Sequence, residues 1–304
     1  MDRLIVYAIP GFVLLLVVEL LSFRLAQDDD DLVGYELRDT RTSLSMGGGN
    51  VLINAGWTLV VAIIYQALYV ASPWSIPSDT WLPWAVLFFA DDFAYYWFHR
   101  ASHEIRLFWG SHIVHHSSQH FNLSTALRQT WVPMTYYPIW VPLALAGFRP
   151  WMIFTQQSVS LIYQFWIHTE KIGKLPKPFE LVFNTPSHHR VHHGSQHQYL
   201  DRNYAGILII WDRLFGTFEP EGERVRYGLT KNLQTFNPVK VAFGEYRAIR
   251  NDVRGAKSWR ERFGYVFGGP GWTPDHLADR RELERERAPE IALPPPEARE
   301  PAVR

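Results

Sequence analysis

The stretch DDFAYYWFHRASHE, residues 91–104, joins the end of an apolar run to a pair of histidines. The run extends from Trp81 to Phe98 and has no charged residue except its two aspartates. A helix needs about 20 mostly apolar residues, and at least about 17, to cross the hydrocarbon core of a bilayer. His99 and His103 follow at a spacing of four residues, which places both side chains on one face of a helix. The stretch therefore predicts a membrane helix that ends in a potential metal-binding pair.

Four further apolar runs of similar length predict an all-α integral membrane protein. The first contains a single charged residue, Glu19, and the other three contain none. About five membrane helices are expected from this pattern. Only Arg149 and Pro150 separate the last two runs, so four membrane helices plus a re-entrant hairpin are an alternative. A soluble protein of average composition would rarely contain so many nearly uncharged runs. The four runs are Leu4–Leu21, Val51–Ala71, Trp131–Phe148 and Trp151–Ile167.

The distribution of basic residues predicts the orientation of these helices. If the runs alternate across the membrane, one side receives all 30 Lys and Arg residues except Arg3 and Arg149. Because cytoplasmic loops carry an excess of Lys and Arg, that side should face the cytoplasm of a multi-pass membrane protein. The formal net charge of zero gives no indication of a nucleic-acid partner, and the sequence leaves the oligomeric state open.

Histidines are concentrated in three short stretches on the predicted cytoplasmic side, HRASHE, HIVHHSSQH and HHRVHHGSQH. These stretches hold all but two of the 13 histidines, at repeated spacings of three and four residues that bring imidazoles onto one helix face. Protonated imidazoles would repel one another, and buried neutral ones would each need a partner. Neutral imidazole is a common metal ligand, and the absence of cysteine excludes thiolate ligands. A metal centre therefore explains the clustering better than packing does.

The number of histidines favours two metal ions over one. A tetrahedral zinc site takes about four ligands, fewer than the histidines available here. So many imidazoles also disfavour a zinc hydrolase, which uses about three ligands and keeps one position open. Spacing alone does not choose among iron, zinc, copper and nickel, because all of them accept imidazole. The centre is expected to lie in a helical cap on the cytoplasmic face.

With these spacings, the chain resembles the fatty acid hydroxylase/sterol desaturase superfamily of membrane di-iron oxygenases. The resemblance covers roughly residues 85–235 and includes the succession HxxxH, HxxHH and HxxHH. It is greatest for the members that cleave ether lipids. The matching stretches are DDFAYYWFHRASHE, FWGSHIVHHSSQHFNLSTALRQT, WIHTE followed by NTPSHHRVHHG, and NYAGILIIWDRLFGTFEPE.

The resemblance implies an oxidoreductase that hydroxylates a lipid C–H bond with O2 at a centre of two iron ions. The ether-lipid branch implies cleavage of alkylglycerols to a fatty aldehyde, with tetrahydrobiopterin as a possible reductant, and it makes Glu104 a catalytic candidate. Because no GxGxxG fingerprint and no fused haem domain are visible, a separate electron donor is expected. The metal ligands that the resemblance implies are His99, His103, His112, His115, His116, His168, His189, His192 and His193, with His188 as a tenth ligand or a group behind the ligands.

Asp92 is a second catalytic candidate, because carboxylates inside an apolar span are costly and usually functional. It lies two helical turns before His99 and could orient that ring, since metal-bound histidines donate their second N–H to a carboxylate or carbonyl. A purely structural role for Asp92 is equally compatible with the sequence. Further candidates for contacts behind the ligands are Asp201, Asn203, Tyr204 and Asp212.

Four regions are expected along the chain. Residues 1–80 should form N-terminal membrane helices, and residues 81–235 the catalytic domain. Residues 236–276 contain NPVKVAFGEYRAI, which predicts an amphipathic helix at the membrane interface. Residues 277–304 combine mixed charge with a proline run, as disordered tails do.

Two alternative functions remain open from the sequence. One is a sterol or fatty-acid desaturase or hydroxylase of the same superfamily, which product analysis would distinguish. The other is a membrane metal-binding or transport protein. A transporter would place ionisable residues midway through several spans, whereas only Asp91 and Asp92 lie deep in the predicted helices.

Overall fold

The computed structural model describes residues 3–25 and 32–277, and this part of the chain is helical. It contains no β-strand, only two isolated β-bridges, so the predicted all-α class is confirmed for the described residues. Of the predicted disordered tail, residues 277–304, all but residue 277 lie outside them. The helices are α1 (Arg3–Leu25), α2 (Leu37–Ala71), α3 (Trp81–Glu104), α4 (Arg106–His116), α5 (Leu123–Ala126), α6 (Val141–Leu145), α7 (Pro150–Trp166), α8 (Lys177–Val182), α9 (Pro186–His192), α10 (Ile210–Phe215), α11 (Pro238–Gly255) and α12 (Trp259–Phe267).

Two of these helices, α1 and α2, are long and apolar enough by themselves to cross a membrane. Most of their apolar side chains are exposed rather than packed inside the protein, as expected for helices that contact lipid. At 1.5 Å per residue, the 35 residues of α2 span roughly 50 Å, more than a bilayer core of about 30 Å. The polar first turns of α2, which the apolar run did not predict, therefore extend beyond the apolar part and pack against the protein.

The predicted fourth apolar run, Trp131–Phe148, is not one continuous helix. It forms two 3₁₀ turns, Pro133–Thr135 and Tyr137–Trp140, followed by the five-residue α6. Three prolines explain the interruption, because proline lacks a backbone N–H and its ring clashes with the preceding turn. The remaining predicted runs correspond to α3, of 24 residues, and α7, of 17 residues.

The apolar core that supports the histidine-bearing helices lies between α2, α3, α6 and α7. Leu87 of α3, Tyr65 of α2 and Met152 of α7 are completely or almost completely buried in it. Asp91 is buried in the same region and accepts a 2.7 Å hydrogen bond from the indole of Trp140. One extended residue separates α3 from α4, so the histidines of both helices lie at the same end of this core.

A buried ion pair fastens the polar start of α2 to the histidine-bearing region. The Arg128 guanidinium donates to the Asp39 carboxylate over 2.9 Å and to the Ser117 hydroxyl over 2.9 Å. Arg128 is 1% exposed and Asp39 is 3% exposed. Ser118 donates to the second Asp39 oxygen. Because Ser117 and Ser118 follow directly after α4, this pair fixes the end of that helix against α2.

Candidate metal centre

Five buried histidines bring one nitrogen each to within 4.8 Å of one another, and they form the five-histidine cluster. Neighbouring Nε2 atoms lie 2.8 Å apart for His99 and His112, 3.0 Å apart for His112 and His116, and 3.1 Å apart for His116 and His192. The members are His99 and His103 of α3, His112 and His116 of α4, and His192 of α9.

Four more buried histidines meet the same criterion and form the four-histidine cluster. The Nε2 atom of His168 lies 3.0 Å from that of His115 and 2.9 Å from that of His189. His193 completes the group directly after α9. The two clusters are adjacent, because the rings of His116 and His193 stack with their centroids 4.4 Å apart.

Each HxxHH motif supplies histidines to both clusters. An α-helix turns about 100° per residue, so residues four apart share a face and neighbouring residues diverge. On α4, His112 and His116 therefore belong to the five-histidine cluster, whereas His115 belongs to the other one. Around α9 the division is reversed, with His189 and His193 in the four-histidine cluster and His192 in the other. The doubled histidine is thus the feature that builds two sites rather than one.

The hydrogen bonds behind the rings fix which nitrogen carries the proton. Nδ1 of His99 lies 2.7 Å from the Tyr204 carbonyl, and Nδ1 of His192 lies 2.9 Å from the Arg202 carbonyl. A carbonyl only accepts, so both Nδ1 atoms must donate, and both Nε2 atoms present lone pairs to the cluster. The carboxylate of Asp201 lies 3.3 Å from Nδ1 of His103.

These lone pairs fit a cation at the centre of the cluster. The three Nε2–Nε2 contacts run in a chain from His99 to His192, and both ends can only accept. The two middle rings, His112 and His116, carry one N–H proton each, which is too few for three contacts. In at least one contact, therefore, two nitrogens face each other without a proton between them. Nε2 of His103 is buried and has no hydrogen-bond partner in the described part of the chain. A shared metal ion satisfies all five nitrogens at once.

Burial keeps the imidazoles in the neutral form that binds metal. Burial, followed by the neighbouring imidazoles, lowers the pKa of His116, His189 and His193 well below the usual 6.5. Burial lowers the pKa of His168 to about 4, although a hydrogen bond to the Gln164 carbonyl opposes the shift. Nδ1 of His115 and Nδ1 of His189 lack hydrogen-bond partners among the described residues. The donor set is therefore one of uncharged nitrogen ligands, which suits a borderline transition metal.

His188, the predicted tenth histidine, lies outside both clusters. It is buried, its Nε2 atom is 4.0 Å from the Glu180 carboxylate, and its ring packs edge-on against Phe218. Burial lowers its pKa to about 4. His120 and His197 also lie outside the clusters, and His197 is exposed. The assignment of His188 as a ligand or a supporting residue stays a prediction.

The hydrogen-bond partners of Asp92 are not histidines; they lie in the segment before α10 and in the first turn of α10. Its oxygens accept hydrogen bonds from the backbone N–H of Ile207 at 2.8 Å, the backbone N–H of Leu208 at 3.0 Å and the Trp211 indole at 3.0 Å. The segment that it holds begins at Tyr204, whose carbonyl orients His99. Asp92 is therefore linked to His99 through the backbone of this segment and not by a direct hydrogen bond.

Asp212 holds the other end of the same segment. It accepts from the backbone N–H of Tyr204 at 2.7 Å, that of Ala205 at 2.8 Å and the Thr217 hydroxyl at 2.7 Å. Burial raises the pKa of its carboxyl to about 6, and these hydrogen bonds oppose the shift. Asn203 adopts a left-handed backbone conformation, with φ of 56°, which asparagine tolerates better than most residues. The two aspartates thus fix the carbonyl that faces His99.

Glu104 lies at the surface beside the five-histidine cluster. Its side chain is 49% exposed and pairs with Arg100 over 2.8 Å, one turn earlier in α3. A catalytic role for Glu104 stays a prediction. No sequence pattern indicates the contact between the Arg202 carbonyl and His192, because only the backbone of Arg202 takes part in it.

Replacing Asp92 by asparagine is expected to destabilise the fold by about 2 kcal/mol and to weaken metal binding in the five-histidine cluster. All three groups that contact the carboxylate are donors, so an amide N–H₂ would face at least one of them. Thermal unfolding in detergent and metal content would measure both effects. Asp91→Asn is the matched control, because its remaining carbonyl can still accept from Trp140. Equal losses in the two variants would contradict the proposed role of Asp92.

Comparison with known proteins now identifies the region that carries both clusters. A family model described as fatty acid hydroxylase matches residues 84–217. We refer to residues 84–217 as the hydroxylase domain, after the family whose model they match. All nine clustered histidines lie within this hydroxylase domain.

Curated relatives extend the similarity beyond the hydroxylase domain. The alkylglycerol monooxygenase of Homo sapiens is 48% identical over 204 residues, which cover 66% of this chain and 45% of the relative. That of Danio rerio is 40% identical over 273 residues, 88% of this chain and 59% of the relative. A Delta(7)-sterol 5(6)-desaturase of Schizosaccharomyces pombe is 28% identical over 184 residues, 57% of this chain and 55% of the relative. The chain thus spans about half the length of these relatives, and no solved structure shows a significant match.

Proposed function

We propose that this chain is a membrane-bound di-iron monooxygenase that hydroxylates a lipid C–H bond with O2. The observation that carries the proposal is the pair of adjacent, buried imidazole clusters inside the hydroxylase domain. The similarity to alkylglycerol monooxygenases supports the reaction type. When bound, two iron ions would supply the O2 activation and electron transfer that amino-acid side chains cannot perform.

The number of imidazoles supports iron over a tetrahedral zinc site. Five available imidazoles in one cluster exceed what a tetrahedral site uses.

The chain's own residues would hold the ligands, keep the protons in place and exclude water. His99 and His192 keep their protons on Nδ1, because the carbonyls of Tyr204 and Arg202 accept them there. The ring of Phe121 covers the four-histidine cluster, with its centroid 5.0 Å from that of His193. A dry pocket of this kind prevents loss of oxidising equivalents to solvent.

The proposed substrate is an alkylglycerol, whose carbon next to the ether oxygen would be hydroxylated. One oxygen atom of O2 enters that C–H bond, and the other leaves as water after accepting two electrons and two protons. The resulting hemiacetal then breaks its C–O bond, releasing a fatty aldehyde and the free glycerol hydroxyl. The electrons come from tetrahydrobiopterin or another external donor, as in the sequence-based proposal. Glu104, which lies beside the five-histidine cluster, is the side chain proposed to take part in catalysis of this reaction.

We further propose that α3 and α7 complete a multi-pass arrangement with α1 and α2, and that the clusters face the cytoplasm. The region of 3₁₀ turns and α6 would then be the re-entrant part of the predicted hairpin. α11 and α12 would form the interfacial segment of residues 236–276. Exposed Trp259 and Phe263 on α12 support this, because aromatic side chains favour the membrane interface.

Product analysis tests the substrate. Iron-loaded protein in detergent, supplied with O2, a reduced pterin and an alkylglycerol, is expected to release one fatty aldehyde per O2 consumed. A sterol or fatty-acid desaturase of the same superfamily is the second candidate, favoured by the similarity to the sterol desaturase. Conversion of a sterol or fatty acid, without aldehyde from the ether lipid, would replace the alkylglycerol proposal with this one. A metal-binding or transport protein would consume no O2 with any of the three lipids.

A further inference from the structure

We infer that Glu19, in the first membrane helix, is a positioning residue for the four-histidine cluster. Glu19 lies far outside the hydroxylase domain, which begins at residue 84. It is the only acidic residue of α1 and is 5% exposed, whereas most of the helix is exposed. A buried carboxylate on a lipid-facing helix is costly and needs specific partners. The inference rests on the proposed metal centre and concerns one half of it.

The Glu19 carboxylate binds three separate segments of the protein. Oε1 accepts a hydrogen bond from the Thr169 hydroxyl. Oε2 accepts from the Tyr35 hydroxyl and, over 2.8 Å, from the backbone N–H of Leu123. Three donors of this kind satisfy a buried carboxylate, and charge-assisted bonds are the stronger type. The first helix is therefore joined to the site by directed bonds and not only by apolar packing.

Thr169 links Glu19 to a proposed metal ligand, because it follows His168 directly in the sequence. The loop after α7 is held on one side by Glu19 and on the other by Arg190, which donates to the Thr169 carbonyl over 3.0 Å. Arg190 itself lies on α9 beside His189. The backbone of residues 168–169 is thus fixed between α1 and α9. This places Nε2 of His168 within 3.0 Å of its counterparts in His115 and His189.

An aromatic contact also holds α1 against the end of α7, next to His168. The rings of Phe12 and Phe165 stack with centroids 4.3 Å apart, joining α1 to the last turn of α7. Glu19 and this stack together align the end of α7, from which His168 projects. Groups that orient a metal ligand typically change metal affinity by 10–100-fold when they are removed. Loss of the Glu19–Thr169 hydrogen bond should therefore weaken metal binding at the four-histidine cluster and leave metal binding at the five-histidine cluster unchanged.

The matched pair Thr169→Val and Tyr35→Phe tests this inference. Each variant removes one hydroxyl and one hydrogen bond to the same carboxylate, but only Thr169 adjoins a ligand. The variants are made in full-length protein that carries His192→Ala, so that the iron retained is that of the four-histidine cluster. The Fe²⁺-loaded proteins are titrated with a chelator, and the iron remaining per chain is measured.

Thr169→Val and Glu19→Gln are expected to release this iron at about tenfold lower chelator concentration, whereas Tyr35→Phe releases it as the parent does. In a His189→Ala background, which leaves the five-histidine cluster intact, Thr169→Val should have no effect. Equal weakening by Thr169→Val and Tyr35→Phe, or unchanged release in Thr169→Val, would overturn the role of Glu19 while leaving the di-iron proposal intact. Absence of iron in the otherwise unmodified protein would overturn both.

Discussion

Alanine at His189 or at His192 is expected to remove about one metal ion per chain and to abolish turnover. The two residues belong to different clusters, so each variant should keep the ion of the other cluster. A catalytic metal contributes several kcal/mol to lowering a barrier, so loss of one ion should reduce turnover by roughly 10³-fold or more. Metal content per chain and aldehyde release, measured on the same preparations, check both parts.

Two histidines outside both clusters, His197 and His188, provide comparison variants for this experiment. His197→Ala changes an exposed histidine and should retain both ions and full turnover. His188→Ala changes a buried histidine next to His189 but outside both clusters, and it tests the predicted tenth ligand. Loss of an ion in His188→Ala would make that residue a ligand as well. Retention of both ions in His189→Ala or His192→Ala would contradict the two-cluster assignment.

Removal of the Asp39 carboxylate is expected to cost the fold about 3–5 kcal/mol, the largest stability effect among these predictions. Asp39→Ala leaves the guanidinium of Arg128 buried without its counter-ion, and it also removes the acceptor for Ser118. The cost arises from the uncompensated buried charge more than from the lost attraction. A large fall in the thermal unfolding temperature, measured in detergent, is the expected observation.

The surface pair of Arg100 and Glu104 provides the control for this stability measurement. Because Glu104 is half exposed, its ion pair contributes at most about 1 kcal/mol, and Glu104→Gln should unfold at nearly the unmodified temperature. The same variant tests the catalytic proposal, since any loss of turnover would then not come from unfolding. Unchanged turnover in Glu104→Gln would contradict the catalytic role of this carboxylate. A small stability loss in Asp39→Ala would mean that water reaches Arg128.

The histidine clusters could be predicted because they depend on residue spacing within short stretches of sequence. Spacings of three and four residues on α4 and α9 determine which rings share a helix face, and the structure brings together nine of the ten histidines singled out. Sequence spacing could not show that His188 turns toward Glu180, because adjacent helical residues point in directions that only the packing of the helix defines. It also could not assign each ring to one of two ions.

Contacts across long sequence separations were beyond prediction. Asp92 was expected near a histidine on its own helix, yet it binds backbone N–H groups more than a hundred residues later. The apolar run of residues 131–148 predicted one continuous helix from its hydropathy. Its three prolines instead divide it into two 3₁₀ turns and a short helix. Glu19 was visible only as the single charge in the first run, since its partner Thr169 lies in a distant loop.

The division of each HxxHH motif between the two clusters has a consequence for biosynthesis. The chain supplies His99 early, but the five-histidine cluster is complete only when residue 192 has been translated, and the four-histidine cluster only when residue 193 has been translated. Under the di-iron proposal, iron would therefore enter only after almost the whole hydroxylase domain has been translated. A site that does not exist in the unfolded chain adds its binding energy to folding. Iron starvation should accordingly lower the steady-state amount of the protein, because quality-control proteases remove the less stable metal-free form.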